Sequence, residues 1–131
     1  MAWRFDLASE IGGRAEQQDR VEVLTAPDRS GDYLVVLADG MGGRQHGAAA
    51  AQAVIDTAKR EFSHAPVTDP KRLLADLCSE ANEAIEAIGR QMGTTPGSTC
   101  AVLYVKDAEA YWAHVGDSRL YHFDRNGLLF R

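Results

Sequence analysis

Cysteine is scarce in this chain of 131 residues: Cys78 and Cys100 are the only two. Neither belongs to a CxxC pair or a cluster with histidine, which argues against a zinc site. Cys78 falls on an apolar helical stripe and Cys100 within an expected strand. Both read as small, reduced core residues of a cytosolic protein. Clustered positive charge is also missing. The net charge is -5 and the sequence pI about 5.3, so a nucleic-acid backbone is not expected as a partner. No segment approaches membrane-spanning length, and Met1 to Glu10 has no long apolar stretch of the signal-peptide kind. The expected location is therefore cytoplasmic, with no membrane partner. Repeats, low-complexity tracts and an internal linker are absent as well, and the length suits one domain with a modest core.

What is present is the composition of an ordinary globular protein, 45% hydrophobic and 25% charged. Trp3 to Ser9 is compatible with a first strand. Arg20 to Thr25 alternates polar and apolar residues as a half-buried strand does. Ala26 to Asp32 has turn chemistry, and Tyr33 to Ala38 is a short, continuously apolar run that suits a central strand. An Ala-rich helix is expected from His46 to about Phe62. Asp69-Pro70 reads as an N-cap followed by proline at the first helical position. Leu74, Leu77, Cys78, Ala81, Ile85, Ile88 and Met92 then recur at spacings of three and four, which predicts an amphipathic helix over Lys71–Gln91. Ser98–Val105, Ala110–Val115 and Arg119–Phe123 follow as strands, and Leu128 to Arg131 resembles the start of another, an unpaired apolar edge. Strands, two helices, then strands indicate an α+β fold with helices laid on antiparallel sheet.

Four short segments have residue types suited to chemistry. Val35-Val36-Leu37-Ala38-Asp39 is an apolar strand that ends in a carboxylate, and Gly40, Gly42 and Gly43 follow at once. It reads either as a strand with a Gly-rich turn or as a seat for a hard cation. In the second case Asp39 supplies anionic oxygen, and glycine lets a main-chain carbonyl approach the same ion. Arg14-Ala15-Glu16-Gln17-Gln18-Asp19-Arg20 is either a solvated loop or a place where Arg14 grips a phosphoryl group and Asp19 binds a metal or its water. Gly97-Ser98-Thr99 is by default a turn into a strand, and Gly116-Asp117-Ser118-Arg119 a hairpin turn.

In this order, with two helices between the second and third, the four segments resemble the metal-dependent protein phosphatase family, the PPM or protein phosphatase 2C type. Asp39-Gly40-Met41-Gly42-Gly43 is most similar to the bacterial branch. The resemblance implies a layered αββα sandwich of antiparallel sheets with helices outside. It implies hydrolysis of phosphoserine and phosphothreonine in a protein substrate, with two divalent ions, Mg²⁺ or Mn²⁺, and a third that is looser. Asp39 would then be the bridging metal ligand and Gly40 would add its carbonyl. Asp19 would hold a metal-bound water, Arg14 the substrate phosphate, and Asp117 the third ion.

The sequence departs from that pattern in places. Gln18 stands where the family usually has an acid or its amide, and Gln17 replaces a frequent asparagine. Met41 occupies the position of a histidine common in eukaryotic members. His46 either faces the site or starts the helix. His64, His114 and His122 read as loop or sheet-surface residues. The family carries two further metal-binding aspartates downstream, in Asp-Gly and Asp-Asn contexts, and the sequence ends before either. The resemblance thus covers about the first half of a phosphatase domain, and weak metal binding with little turnover is expected of residues 1–131. The alternative is a non-catalytic, phosphatase-like module that binds a phosphoprotein or pairs with another chain, such as a second copy, through an exposed sheet edge.

Overall fold

The structure, a computed structural model, describes residues 3–8, 18–26, 31–41, 46–64, 66–116, 118 and 120–130. Its strands are β1 (Asp19–Thr25), β2 (Asp32–Met41), β3 (Gly97–Ser98), β4 (Cys100–Lys106), β5 (Glu109–Val115), β6 (His122–Asp124) and β7 (Gly127–Phe130). Helices α1 (Gly47–His64) and α2 (Pro70–Met92) separate β2 from β3. The main sheet is antiparallel and five-stranded in the order β1-β2-β4-β5, with β3 paired to the end of β2. The fold is α+β, with an antiparallel sheet and two helices.

Strand periodicity divides this sheet into two unlike faces. Leu34, Val36 and Ala38 of β2 and Cys100, Val102 and Tyr104 of β4 are all buried in the core with α1 and α2. From the helices this core takes Ala51, Val54, Ile55, Ala58 and Phe62, with Leu74, Leu77, Ala81 and Ile85. Truncation of a fully buried leucine such as Leu77 costs about 2–5 kcal/mol through lost transfer energy and the cavity left behind. Helix α1 also reaches β1 through charge and amide contacts. Arg20 Nε donates to Gln52 Oε1 at 3.2 Å, and Lys59 pairs with Glu22 at 3.1 Å. At the far end of β2, the Tyr104 hydroxyl donates to buried Asp32 Oδ2 at 3.0 Å. The other face carries Val21, Val23, Val35, Leu37 and Leu103, half-buried or exposed.

The long helix starts as its sequence demands. Asp69 Oδ1 accepts the Arg72 amide at 3.2 Å, with Pro70 following at the first helical position, a cap worth about 1 kcal/mol. Its apolar stripe holds through Ile85. Beyond that Gly89 takes the buried position, packed against Thr94 and Pro96, and Met92 is exposed.

Three expectations are corrected. Residues 3–8 form no strand. Instead Trp3 Nε1 donates to the Asp107 carbonyl at 2.9 Å, and the Phe5 ring lies 5.0 Å from that of Tyr33. β2 does not end at Ala38 or Asp39 but runs to Met41, because β3 continues the ladder through Gly40↔Ser98 and Met41↔Gly97. The C-terminal apolar strand is not an unpaired edge, since β7 pairs with β6 around a turn in which Asn126 N donates to Asp124 Oδ1 at 2.7 Å. No helix among the described residues is long and apolar enough to cross a membrane.

Candidate metal centre

Asp19, the first residue of β1, lies directly opposite Asp39 in the β1–β2 ladder. By alternation both stand on the sheet face away from the helices. Directly opposed residues have Cβ atoms about 4.5–5.5 Å apart, close enough for both carboxylates to reach one cation. Asp19 Oδ1 is shielded from solvent. Like charges in this arrangement repel across the ladder, so the pair has a physical use for a bound cation.

The backbone around Asp39 is held on both sides. Its amide donates to Thr99 Oγ1 at 3.0 Å, and its carbonyl accepts the Thr99 amide at 3.0 Å. Thr99 is buried, and its hydroxyl is also hydrogen-bonded to Ser118 Oγ. One side chain thereby ties the Asp39 strand to the segment after β5. Gly116, just before that segment, has φ +96, and a Cβ there would lie 2.8 Å from Thr99 Cγ2. Only glycine satisfies both demands without strain.

Gly40 shows an even closer approach. Its amide donates to the Gln18 carbonyl at 3.0 Å. A Cβ at Gly40 would lie 1.9 Å from the Gly47 carbonyl oxygen and 2.8 Å from that of Gln18. The start of α1 is therefore pressed against the end of β2, with backbone and no side chain between them. His46 begins the helix, its carbonyl accepting the Ala50 amide at 2.9 Å.

Of the sequence-derived site residues, the structure brings Asp19, Asp39 and Gly40 together. Arg14 and Asp117 lie outside the described residues, as do Gly42, Gly43 and Gln17. His114 and His122 are exposed on strands. Among the described residues no group of three or more His, Cys, Asp or Glu side chains converges as a complete metal cage. The donors present are oxygen-only, the set that suits Mg²⁺, Mn²⁺ or Ca²⁺. Two carboxylates opposed on one face, beside glycine backbone, fit part of such a site.

Sequence reasoning took Gly97-Ser98-Thr99 as a turn leading into a strand and missed the two bonds between Thr99 and Asp39. Gly47 was missed too, although a glycine opening a helix that otherwise begins with a run of alanines is a signal of close packing.

The sequence pattern of the family described as Protein phosphatase 2C matches residues 8–130. The chain is similar to protein phosphatase PhpP of Streptococcus pneumoniae serotype 2, with 32% identity over 121 residues, covering 88% of this chain and 48% of that protein. Among solved structures it is similar to the Mycobacterium tuberculosis serine/threonine phosphatase PstP/Ppp. The TM-score there is 0.73 at 29% identity, covering 89% of this chain and 48% of that one. The catalytic domain of PstP in complex with 2 manganese ions matches with a TM-score of 0.74 at 29% identity, covering 89% of this chain and 49% of that one. The chain spans about half the length of the curated relatives it matches.

Proposed function

The chain belongs to the protein phosphatase 2C family, and we propose that the Asp39 end of its sheet is part of a metal-dependent protein serine/threonine phosphatase site. The observation that carries this reading is the direct cross-strand pairing of Asp19 with Asp39. In this reading Asp39 is the shared metal ligand, the Gly40 carbonyl a second oxygen donor, and Asp19 the acceptor for a metal-bound water. Arg14 grips the substrate phosphate and Asp117 serves a third, looser ion. Bound Mg²⁺ or Mn²⁺ would supply charge neutralisation and a more acidic water. The 2 manganese ions of the PstP catalytic domain favour Mn²⁺ as the ion to test first.

The chain's own residues bind and orient. Thr99 fixes the Asp39 backbone from two sides, so the carboxylate does not wander when its charge is engaged. Arg14 offers a planar fork that matches two phosphoryl oxygens. The substrate is a phosphorylated protein, whose phosphoserine or phosphothreonine ester carries close to two negative charges at neutral pH.

A second reading is favoured by one observation. Asp19 and Asp39 oppose each other across the ladder, and among the described residues no group of three or more His, Cys, Asp or Glu side chains gathers. A phosphatase-like module that binds a phosphoprotein without hydrolysing it, or that pairs with a second copy through an outer edge of its sheet at β1 or β5, fits that half-site.

Thermal unfolding with and without Mn²⁺, together with p-nitrophenyl phosphate hydrolysis, separates these readings when wild type and Asp39→Asn are compared. Removal of the like-charge contact is expected to stabilise the metal-free variant by up to about 1 kcal/mol. The Mn²⁺-dependent gain in stability is expected in wild type and absent in the variant. An unchanged Mn²⁺ response in Asp39→Asn refutes the metal assignment. Turnover in wild type that the variant loses supports the enzyme. Stabilisation by Mn²⁺ with no turnover supports the binding module.

A further inference from the structure

Asp19 is held differently from Asp39, the residue it faces. The Gly40 amide donates to the Gln18 carbonyl at 3.0 Å, so Gln18 and Gly40 form a hydrogen-bonded pair of the ladder. By the alternation of antiparallel strands the next pair, Asp19 with Asp39, is a non-hydrogen-bonded one. The main chain of Asp39 turns toward Thr99, and that of Asp19 turns toward the outer side of β1, the end strand of the sheet. There the side chain of the next residue meets it: Arg20 Nη1 donates to the Asp19 carbonyl at 2.9 Å.

Arg20 stands on the other face of β1, the face it shares with buried Leu24 and with α1. Its Nε donates to Gln52 Oε1 of α1 at 3.2 Å. Gln52 Nε2 donates in turn to Asp56 Oδ1, four residues further along the helix, at 3.0 Å. Each link sets the next. Asp56 takes the amide nitrogen of Gln52 and so turns its oxygen to Arg20. The guanidinium is planar, with N–H groups at fixed angles. Anchoring Nε at Gln52 therefore fixes where Nη1 meets the Asp19 carbonyl. The same helix is pressed against Gly40 through the Gly47 carbonyl.

We propose that Arg20, anchored by Gln52, is a positioning residue for the cation site: it holds the Asp19 main chain so that the carboxylate stands opposite Asp39. The inference rests on the reading of Asp19 and Asp39 as metal-binding groups. A guanidinium has no lone pair to offer a cation, so the contribution of Arg20 runs through Asp19. Positive charge alone does not supply it. A lysine keeps the charge but carries it on a flexible stem, without the fork that joins Gln52 to Asp19.

The test combines calorimetric titration of residues 1–131 with Mn²⁺ and, in the metal-free chain, amide hydrogen exchange followed by NMR. Arg20→Lys should raise the Mn²⁺ Kd about tenfold, the lower end for loss of a group that holds a metal ligand in place. Gln52→Met keeps a helix-forming side chain, removes the anchor and should raise the Kd about threefold. Lys59→Met is the control. It removes another tether between α1 and β1, the 3.1 Å pair with Glu22, and should leave the Kd within about twofold of wild type. Without metal, Arg20→Lys should speed exchange of the Gly40 amide, bonded beside Asp19, relative to that of buried Val36 in the same strand. An unchanged Kd in Arg20→Lys and Gln52→Met, or an equal rise in Lys59→Met, overturns the proposal and leaves the metal assignment standing. If wild type takes up no Mn²⁺, the metal assignment fails and exchange decides on Arg20 by itself. Faster Gly40 exchange in Arg20→Lys then sustains its hold on Asp19, and unchanged exchange overturns it.

Discussion

Replacing Gly40 with alanine tests whether backbone contact at the site is real. The new methyl would sit 1.9 Å from the Gly47 carbonyl oxygen, 2.5 Å from the carbonyl carbon and 2.8 Å from the Gln18 carbonyl oxygen. All of these are backbone atoms, so no flexible side chain can swing aside. Relief requires the start of α1 to retreat or the end of β2 to peel from Gln18, with loss of the 3.0 Å bond from Gly40 N. Overpacking of this kind costs about 1–3 kcal/mol, and the hydrogen bond adds about 1 kcal/mol. A loss of about 3 kcal/mol is therefore expected. With an unfolding entropy of about 2.1 cal/mol/K per residue, a chain of this length loses about 10 °C in Tm. Gly97→Ala is the control, because its methyl would meet Met41 Cγ at an ordinary 3.7 Å. That variant is expected to stay within about 1 kcal/mol of wild type, or about 3–4 °C. Thermal and urea unfolding followed by circular dichroism read both variants. If Gly40→Ala melts within about 3 °C of wild type, or no lower than Gly97→Ala, the close approach of β2 and α1 is refuted.

Two further predictions rest on single groups. Thr99→Val keeps the shape and removes the hydroxyl that accepts the Asp39 amide and meets Ser118. It should cost about 1–3 kcal/mol in urea unfolding and weaken the Mn²⁺ response, while Thr99→Ser restores most of both. Equal behaviour of the two variants would remove Thr99 as the residue that positions Asp39. Glu61, on α1, is raised above the usual carboxylate range by its side-chain hydrogen bond with Glu80 of α2, then by partial burial and by the Glu80 charge. A raised folded-state value means that the folded chain holds an extra proton just above that range. The resulting stability is complete below the unfolded value and is lost as pH rises through the folded one. Glu61→Gln should therefore flatten the pH dependence of Tm just above the carboxylate range and leave the protein at least as stable as wild type at pH 7. A wild-type slope that survives in the variant would assign it to another group.

Much of the fold was legible in the residues themselves. Asp69-Pro70 and the three-and-four spacing from Leu74 to Ile85 marked α2, and the apolar run from Tyr33 marked the central strand. These are local preferences, set within one or two turns of helix or one strand, and neighbouring residues suffice to express them. The order of the four motif segments pointed to the family. It was also enough to nominate Asp19, Asp39 and Gly40, because the carboxylates and glycines are themselves the chemistry. Pairing was not legible. That Asp19 faces Asp39, that β3 extends β2 through Gly40 and Met41, and that residues 3–8 pack without joining a ladder all depend on register. Register is decided by how whole faces bury against the helices, and a slip of one residue would turn Asp39 toward the core. The same holds for Thr99 against Asp39 and Gly40 against Gly47. Each joins parts of the chain that no local pattern links, and only the packing of α1 and α2 on one face of the sheet brings them into contact.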